Sequence, residues 1–159
     1  MTAACTHCRI LIADARALVR AGIRALLERL PGAEVTGETG DGLEAVELVR
    51  RDPPDVILLD AALPGLNGFA TAARISRLGV PTRLLMISRH ASPEYAGRAF
   101  AAGASGYINE DSGPDELSAA LIALCAGQRY LCRSIDAGLV HQHERQAGNV
   151  ASGFHALTP

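Results

Sequence analysis

The sequence contains few aromatic residues and no apolar run long enough to span a bilayer. Among 159 residues there is no Trp, and the aromatic share is only 4%, so aliphatic side chains and Ala must fill the core. A membrane helix needs about 20 consecutive apolar residues, and the start of the chain lacks the apolar segment of a signal peptide. These absences favour a cytoplasmic protein with no membrane partner.

The chain also has no excess of positive charge. Fifteen basic residues stand against seventeen acidic ones, which gives a formal net charge of −2. A nucleic-acid-binding domain normally carries a basic surface, so this chain is not predicted to contact DNA by itself. A hydrophobic content of 48% in a chain of this length predicts one sizeable domain plus a short additional segment.

Cysteine is scarce, and its four occurrences are predicted to be reduced thiols: Cys5, Cys8, Cys125 and Cys132. Cys5 and Cys8 form a CxxC pattern that can bind zinc or act in redox chemistry. No second CxxC follows, and the pair lies in an N-terminal extension, residues 1–8, rather than at a strand–helix turn. We therefore predict neither a metal nor a redox function for it.

One stretch organises the sequence. Residues 56–59 are Val-Ile-Leu-Leu, Asp60 follows, and residues 61–68 contain Pro, Asn and two Gly. A continuous apolar run bounded by turn residues is typical of a central strand in a parallel sheet. Asp60 is then predicted at the carboxyl end of that strand, the edge at which open α/β sheets bind ligands.

The remaining chain alternates between strand and helix patterns. Strands are predicted at 9–14, 33–39, 56–60, 82–88 and from 107, and helices at 15–30, 41–52, 68–78, 93–102 and 113–127. Such alternation predicts an α/β domain over residues 9–127 with a five-stranded parallel sheet and helices on both faces. Asp14, Asp60 and Ser88 each end a predicted strand, so their side chains should converge at one edge.

Four segments carry a family resemblance: RILIAD at 9–14, DVILLD at 55–60, LPGLNG at 63–68 and AGASGY at 102–107. In this order and spacing they resemble the receiver domain of bacterial two-component response regulators. ERLPG and AGQRYL further resemble the NarL/LuxR-type transcriptional regulators. The resemblance implies a flavodoxin-like (βα)5 fold with strand order 2-1-3-4-5, acting as a signalling module rather than an enzyme.

The same resemblance implies a chemistry. Asp60 would be the phosphoacceptor, Asp14 a member of the acidic pocket, and Ser88 and Tyr107 the switch pair. Mg²⁺ would be held by acids after the first strand, by Asp60 and by the backbone carbonyl of Ala62. The metal would stabilise charge during phosphoryl transfer, and a Lys after the fifth strand would bind the phosphate.

Two positions depart from the family pattern. Ala15 stands where a second acid is expected, and Glu110 stands where the Lys is expected. Arg16 or Arg89 could compensate by reaching into the pocket, where a guanidinium beside Asp60 could replace the metal; alternatively, Glu110 could itself bind metal. The departures weaken the expectation of Mg²⁺ and favour an atypical receiver in which phosphorylation of Asp60 is weak or abandoned.

Residues 128–159 are predicted to be a polar linker. His141 and His143 lack neighbouring acids or thiols, so we interpret them as solvated linker residues rather than metal ligands. Leu157-Thr158-Pro159 resembles the opening of a LuxR-type helix-turn-helix domain, which implies that a DNA-binding domain is absent from this chain. The implied partners are a sensor histidine kinase or other regulator, a second copy in a homodimer, and DNA only through that absent domain.

Three alternatives stay open. The chain could be a conventional receiver phosphorylated at Asp60, or a free-standing interaction module with no output domain. A flavodoxin-like nucleotide-binding enzyme or phosphatase would need a glycine-rich turn after Asp14, and a phosphatase would need a second acid two residues after Asp60. Neither pattern is present in the sequence.

Overall fold

The computed structural model describes residues 7–157, with side chains through residue 148. A parallel sheet in the order β2-β1-β3-β4-β5-β6 forms its centre. Its strands are β1 Cys8–Ala13, β2 Ala33–Thr39, β3 Val56–Asp60, β4 Arg83–Ser88, β5 Gly106–Asn109 and β6 Tyr130–Leu131.

Six α-helices connect and flank these strands: α1 Ala17–Glu28, α2 Gly42–Arg51, α3 Gly68–Arg77, α4 Pro93–Ala101, α5 Pro114–Cys125 and α6 Ala137–Leu157. Helices α2, α3 and α4 contact one another in sequence, while α1 and α5 line a common cavity. The sheet is therefore covered on both faces. The first five strands and helices confirm the predicted alternation.

The count of five strands and five helices was wrong by one of each. β6 adds to the edge of the sheet, where Tyr130 pairs with Gly106 and Leu131 with Tyr107. Two residues are too few to show strand periodicity in a sequence. α6 forms within the segment predicted to be a polar linker. The sequence shows no sign of this helix, because its inward positions carry mostly polar or small side chains and show little hydrophobic periodicity.

The centre of the core is β3, as the apolar run predicted. The side chains of Val56 through Leu59 are at most 1% exposed, because helices cover the strand on both faces. Asp60, the last residue of β3, is only partly buried and opens onto the carboxyl edge of the sheet. The buried strand thus ends in a single carboxylate that lies at the surface.

Two of the helices show how far local sequence signals predict their structure. Asp41, the first residue of the predicted helix at 41–52, caps α2, since the Glu44 amide N–H donates to the Asp41 carboxylate at 3.0 Å. In α1, the apolar residues at helical spacing include Leu18, yet Leu18 is 86% exposed. Successive helix residues are rotated by about 100° around the helix axis. Leu18 therefore points about 100° away from Val19, outside the face that Val19 and Ile23 turn towards the core.

The cysteines differ from the prediction of reduced thiols. Cys8, at the start of β1, forms a disulfide with Cys125, at the end of α5, across a sequence separation of 117 residues. Cys132 is a buried free thiol, and Cys5 of the CxxC pattern lies outside the described residues. A pairing between the two ends of a domain depends on the tertiary fold, so neighbouring sequence carries no signal for it.

Between residues 7 and 157, none of the helices combines the length and the apolar character needed to cross a membrane.

Candidate functional site

Three polar side chains meet at the carboxyl edge of the sheet. Asp14 directly follows β1, while Asp60 and Ser88 end β3 and β4. The strands are parallel and in register, with Ala13 beside Leu59 and Asp60 beside Ile87. The edge therefore brings these three residues together as the sequence predicted.

Arg16 lies at this edge of the sheet, next to Asp14. Its Nε and Nη2 donate to the two carboxylate oxygens of Asp14, each at 3.1 Å, and its backbone N–H donates to Asp14 Oδ1 at 2.8 Å. The same guanidinium forms an ion pair with Glu110. Hydrogen bonds to Asp14 and then to Glu110 raise the pKa of Arg16, so the group is a permanent cation.

Glu110 follows β5 and faces two cations. Besides Arg16, it pairs with Arg89, whose Nε lies 3.2 Å from Glu110 Oε2. The Arg89 side chain is 71% exposed, so solvent screens this second pair. Both arginines that the sequence suggested as pocket cations therefore bind Glu110, and Arg16 contacts Asp14 rather than Asp60.

Asp60 has a different environment from Asp14. Its Oδ1 accepts the Ala62 backbone N–H at 3.1 Å. Burial raises the pKa of the Asp60 carboxyl, and the charges of Asp14 and Glu110 add to this effect, while the Ala62 bond and Arg16 oppose it. The net direction is upward, so the site disfavours the negative charge that a phosphoacceptor carboxylate carries.

Ser88 and Tyr107 lie close together, and both form hydrogen bonds with the backbone of the loop after β4. The Tyr107 hydroxyl donates to the His90 carbonyl at 2.6 Å, and the His90 backbone N–H donates to Ser88 Oγ at 3.1 Å. The Tyr107 side chain is completely buried, and this burial raises its pKa. His90 was not predicted, because a backbone carbonyl acts here and side-chain chemistry gives no signal for it.

A cavity of about 170 Å³ opens beside Asp60. Its wall is aromatic: Tyr95 stacks on His90 with ring centroids 4.7 Å apart, and Phe69 lies 6.1 Å from Tyr95. Arg98 places its guanidinium 4.6 Å from the centre of the Phe69 ring. These residues of α3 and α4 were also missed, since isolated aromatics on helices are ordinarily assigned to the core.

The oxygen donors that the resemblance implies for Mg²⁺ are few, and Arg16 already engages one of them. The expected donors reduce to Asp14, Asp60 and the Ala62 carbonyl, and both oxygens of Asp14 already accept hydrogen bonds from Arg16. Mg²⁺ requires oxygen donors in near-octahedral geometry, and a guanidinium next to them repels it. No cluster of three or more His, Cys, Asp or Glu side chains suited to a metal occurs within the described part of the chain.

Comparison with known proteins places these features in a family. The model of the response regulator receiver domain family matches residues 10–122. The chain is 34% identical over 126 residues to the response regulator UvrY of Escherichia coli K12, covering 79% of this chain and 58% of that protein. It is also 34% identical over 143 residues to a probable transcriptional regulatory protein NarL of Mycobacterium tuberculosis H37Rv, covering 90% and 66%.

Solved structures agree with the sequence relatives. A LuxR-family two-component response regulator from Aurantimonas sp. SI85-9A1 superposes with a TM-score of 0.78 at 35% identity, covering 88% of this chain and 96% of that one. The receiver domain of the putative response regulator NarL from Mycobacterium tuberculosis gives 0.73 at 34% identity, covering 77% and 98%. The chain spans about three-fifths of the curated relative UvrY. The chain belongs to the response regulator receiver family, as a receiver domain of the NarL/LuxR type.

Proposed function

We propose that this receiver is a pseudo-receiver, in which phosphorylation of Asp60 is weak or abandoned and an internal ion pair takes the place of the metal and the phosphate-binding Lys. The single observation that carries the proposal is the Arg16 guanidinium bound to both Asp14 and Glu110. It engages one acid of the pocket and the residue at the Lys position at the same time.

Electrostatics support the proposal at the metal position. Receiver domains generally hold Mg²⁺ in the acidic pocket, where it offsets repulsion between the carboxylates and the incoming phosphoryl group. Here Ala15 supplies no second acid, and Arg16 already neutralises Asp14. The Arg16 guanidinium can balance this charge, but its N–H donors are already engaged by Asp14 and Glu110 rather than free for phosphoryl oxygens.

Electrostatics also oppose the phosphate itself. Two unit charges about 4 Å apart interact by about 4 kcal/mol at an effective dielectric of 20, so replacing Lys by Glu110 turns an attraction into a repulsion. All fifteen basic residues of the chain are arginines, hence no neighbouring Lys supplies the missing group. Arg89 could offset part of the repulsion, although it is exposed and already paired with Glu110.

The switch residues support a fixed state. Ser88 Oγ accepts the His90 N–H, and the Tyr107 hydroxyl donates to the His90 carbonyl. Both members of the switch pair are thus bound to the backbone of the same residue. Control would come from a small ligand, a protein partner or the expression level rather than from a phosphoryl group.

The relatives support a proposal for the output of the receiver. We propose that it regulates a DNA-binding domain C-terminal to this chain, because the M. tuberculosis relative is a probable transcriptional regulatory protein. The partners would be a sensor kinase or other regulator and a second copy of the receiver, in the cytoplasm. DNA contact would occur only through the output domain.

The test combines metal binding and phosphorylation. The purified chain is incubated with Mg²⁺ and acetyl phosphate, and the intact mass is measured for the wild type and Asp60→Asn, while Mg²⁺ binding is measured by calorimetry. We expect no adduct and no metal binding. The variant Ala15→Asp/Arg16→Gln/Glu110→Lys, which restores the family pattern, should bind Mg²⁺ and gain an adduct that Asp60→Asn removes. An Mg²⁺-dependent adduct on wild-type Asp60 would instead establish a conventional phospho-regulated receiver.

A further inference from the structure

A cavity of about 250 Å³ lies between α1 and α5. Both helices pack on the sheet rather than closely on each other, which leaves this space beside β4 and β5. Its walls are mostly aliphatic: three side chains come from one face of α1, at the i, i+4 and i+7 spacing, and three come from β4, β5 and α5. These six residues are Val19, Ile23, Leu26, Ile87, Ile108 and Leu117.

Part of this apolar wall is not covered by the protein itself. Val19, Leu26 and Ile87 pack against the core but are only partly buried, whereas Met86, next to Ile87 in β4, is completely buried. Covering apolar surface is favourable in rough proportion to the area removed from water. An apolar cavity of about 150 Å³ binds benzene, so the space between α1 and α5 is large enough for a ring with a short carbon chain.

The polar groups of the cavity lie at one end. α1 begins at the carboxyl edge of the sheet and runs back towards the other edge, so Leu26 marks the far end. Asn109 ends β5 and Glu110 follows it, so both line the cavity at the carboxyl edge. Gly113 lines the same end, where an added Cβ would meet no atom within 4 Å. Among the lining residues in the described part of the chain, Glu110 alone is charged. The cavity therefore suits a molecule with an apolar body and one cationic end.

The carboxylate of Glu110 can accept such a cation. Its Oε1 contacts Arg16, which is also held by both carboxylate oxygens of Asp14. Its Oε2 lies 3.2 Å from the Nε of Arg89, whose side chain is 71% exposed. An exposed ion pair contributes little to stability, so a ligand ammonium group can replace Arg89 at Oε2. A ligand carboxylate at the same place would be repelled by Glu110.

We propose that the cavity between α1 and α5 binds a small organic amine, with an apolar body about the size of a phenethyl group and an ammonium group that pairs with Glu110 in place of Arg89. As a means of control, this ligand takes the role of the phosphoryl group, and that part rests on the proposed function. The binding itself does not, because neither Asp60 nor Mg²⁺ takes part in it.

The test is calorimetry on the whole chain, without Mg²⁺ or a phosphodonor, with three compounds that share a phenyl ring and a short chain. They are 2-phenylethylamine, the neutral 2-phenylethanol and the anionic 3-phenylpropanoate. We expect the amine to bind with a dissociation constant on the order of 1 mM or lower, within the range open to a ligand of this size. The alcohol should bind about tenfold more weakly, because it lacks a charge-assisted hydrogen bond, and the carboxylate more weakly still. Absence of amine binding, or equal binding of all three compounds, would overturn the proposal.

Two variants test the ammonium position. Glu110→Gln keeps the shape of the side chain and should weaken amine binding about tenfold without changing the affinity for 2-phenylethanol. Arg89→Gln should instead strengthen amine binding by about twofold to fivefold, because it removes the exposed competitor for Glu110. An amine affinity that neither variant changes would show that the ammonium does not reach Glu110, and the proposal would be wrong.

A second pair of variants tests the location of the apolar body. Val19→Phe extends a side chain into the cavity and should abolish amine binding, whereas Leu18→Phe, at the exposed neighbouring position of α1, should bind as the wild type does. Binding that survives in a folded Val19→Phe would overturn the site. If Val19→Phe does not fold, the amide chemical-shift changes caused by the amine in the wild type decide: changes concentrated in α1, β5 and the start of α5 support the site, and changes elsewhere overturn it.

The two proposals fail separately. A phosphoryl adduct on wild-type Asp60 contradicts the pseudo-receiver and leaves amine binding as it was measured. Absence of amine binding overturns this site and leaves the mass measurement on Asp60 unaffected.

Discussion

Arg16 and Glu110 form an ion pair across the carboxyl edge of the sheet, joining the loop after β1 to the segment after β5. The two positions lie 94 residues apart in the sequence, and each departs from the receiver pattern or adjoins a departure. The Arg16 guanidinium thus links Asp14 to Glu110, the position at which the resemblance implies a Lys.

Arg16→Gln should destabilise the fold by about 1–3 kcal/mol, the usual cost of leaving a buried charged group without its partner. Asp14 is only 3% exposed and loses two hydrogen bonds in this variant. Urea denaturation at pH 7 measures the effect. Arg29→Gln, at the exposed end of α1, is the matched control and should change the free energy of unfolding by less than about 0.5 kcal/mol. Equal effects of the two substitutions would contradict the importance of the ion pair.

Asp60→Asn should stabilise the fold at pH 7 by about 0.5–2 kcal/mol, the usual range for a single stabilising change. The raised pKa of Asp60 means that the folded state holds the proton more tightly than the unfolded state. Ionisation therefore destabilises the fold, and this cost develops as the pH rises above about 3.9, the ordinary pKa of Asp.

The pH dependence is the check on Asp60. Denaturation midpoints of the wild type and Asp60→Asn should converge as the pH falls towards 3, where Asp60 is protonated in both folded and unfolded states. A stability difference that stays constant from pH 3 to pH 7 would mean that the carboxyl charge is not its origin.

Tyr107→Phe should lower the free energy of unfolding by about 1 kcal/mol, the net value of one hydrogen bond. It removes the bond to the His90 carbonyl, so exchange of the backbone amides between Ser88 and Ser92 should also become faster. Tyr95→Phe is the matched control, because it deletes the same hydroxyl from a ring that acts by stacking on His90. Similar amide exchange in both variants would contradict a stabilising hydrogen bond between Tyr107 and His90.

Reduction of the disulfide should destabilise the protein by about 2–5 kcal/mol, the usual effect of removing a native disulfide. Thermal unfolding of the wild type with and without a reductant measures this change. Cys125→Ser removes Cys8–Cys125 permanently, so it should unfold near the temperature of the reduced wild type and should not respond to the reductant. A wild-type midpoint that is insensitive to reductant would contradict the bond.

The sequence predicted elements whose stability is local or whose pattern is apolar. The run before Asp60 identified β3 because all of its side chains are buried. The start of α2 was also predictable, because its cap, Asp41, binds an amide only three residues further along the chain. α6 escaped prediction because its correctly spaced inner face holds His143 and Glu144, which no hydrophobic periodicity can reveal. The Cys8–Cys125 bond escaped because it depends on the meeting of the two ends of the domain.

The sequence predicted which residues form the site, but it did not predict which of them contact one another. Asp14, Asp60 and Ser88 converge because they end parallel strands, and this follows from the alternation alone. That Arg16 would bind Asp14 and Glu110 instead of Asp60 depends on the path of the loops after β1 and β5. The aromatic wall of Phe69 and Tyr95 depends on how α3 and α4 pack, which a single sequence does not specify.

The sulfur bridge at Cys8 also determines how the molecule responds to tension. Because it joins Cys8 directly to Cys125, a pull applied between the two ends of the chain passes through the covalent bridge and bypasses everything from β1 to α5. Among the helices and strands described for residues 7–157, only β6 and α6 lie beyond it. A mechanical load would separate β6 and α6 from the domain, while strands β1 to β5 and the sheet edge at Asp60 would bear no load.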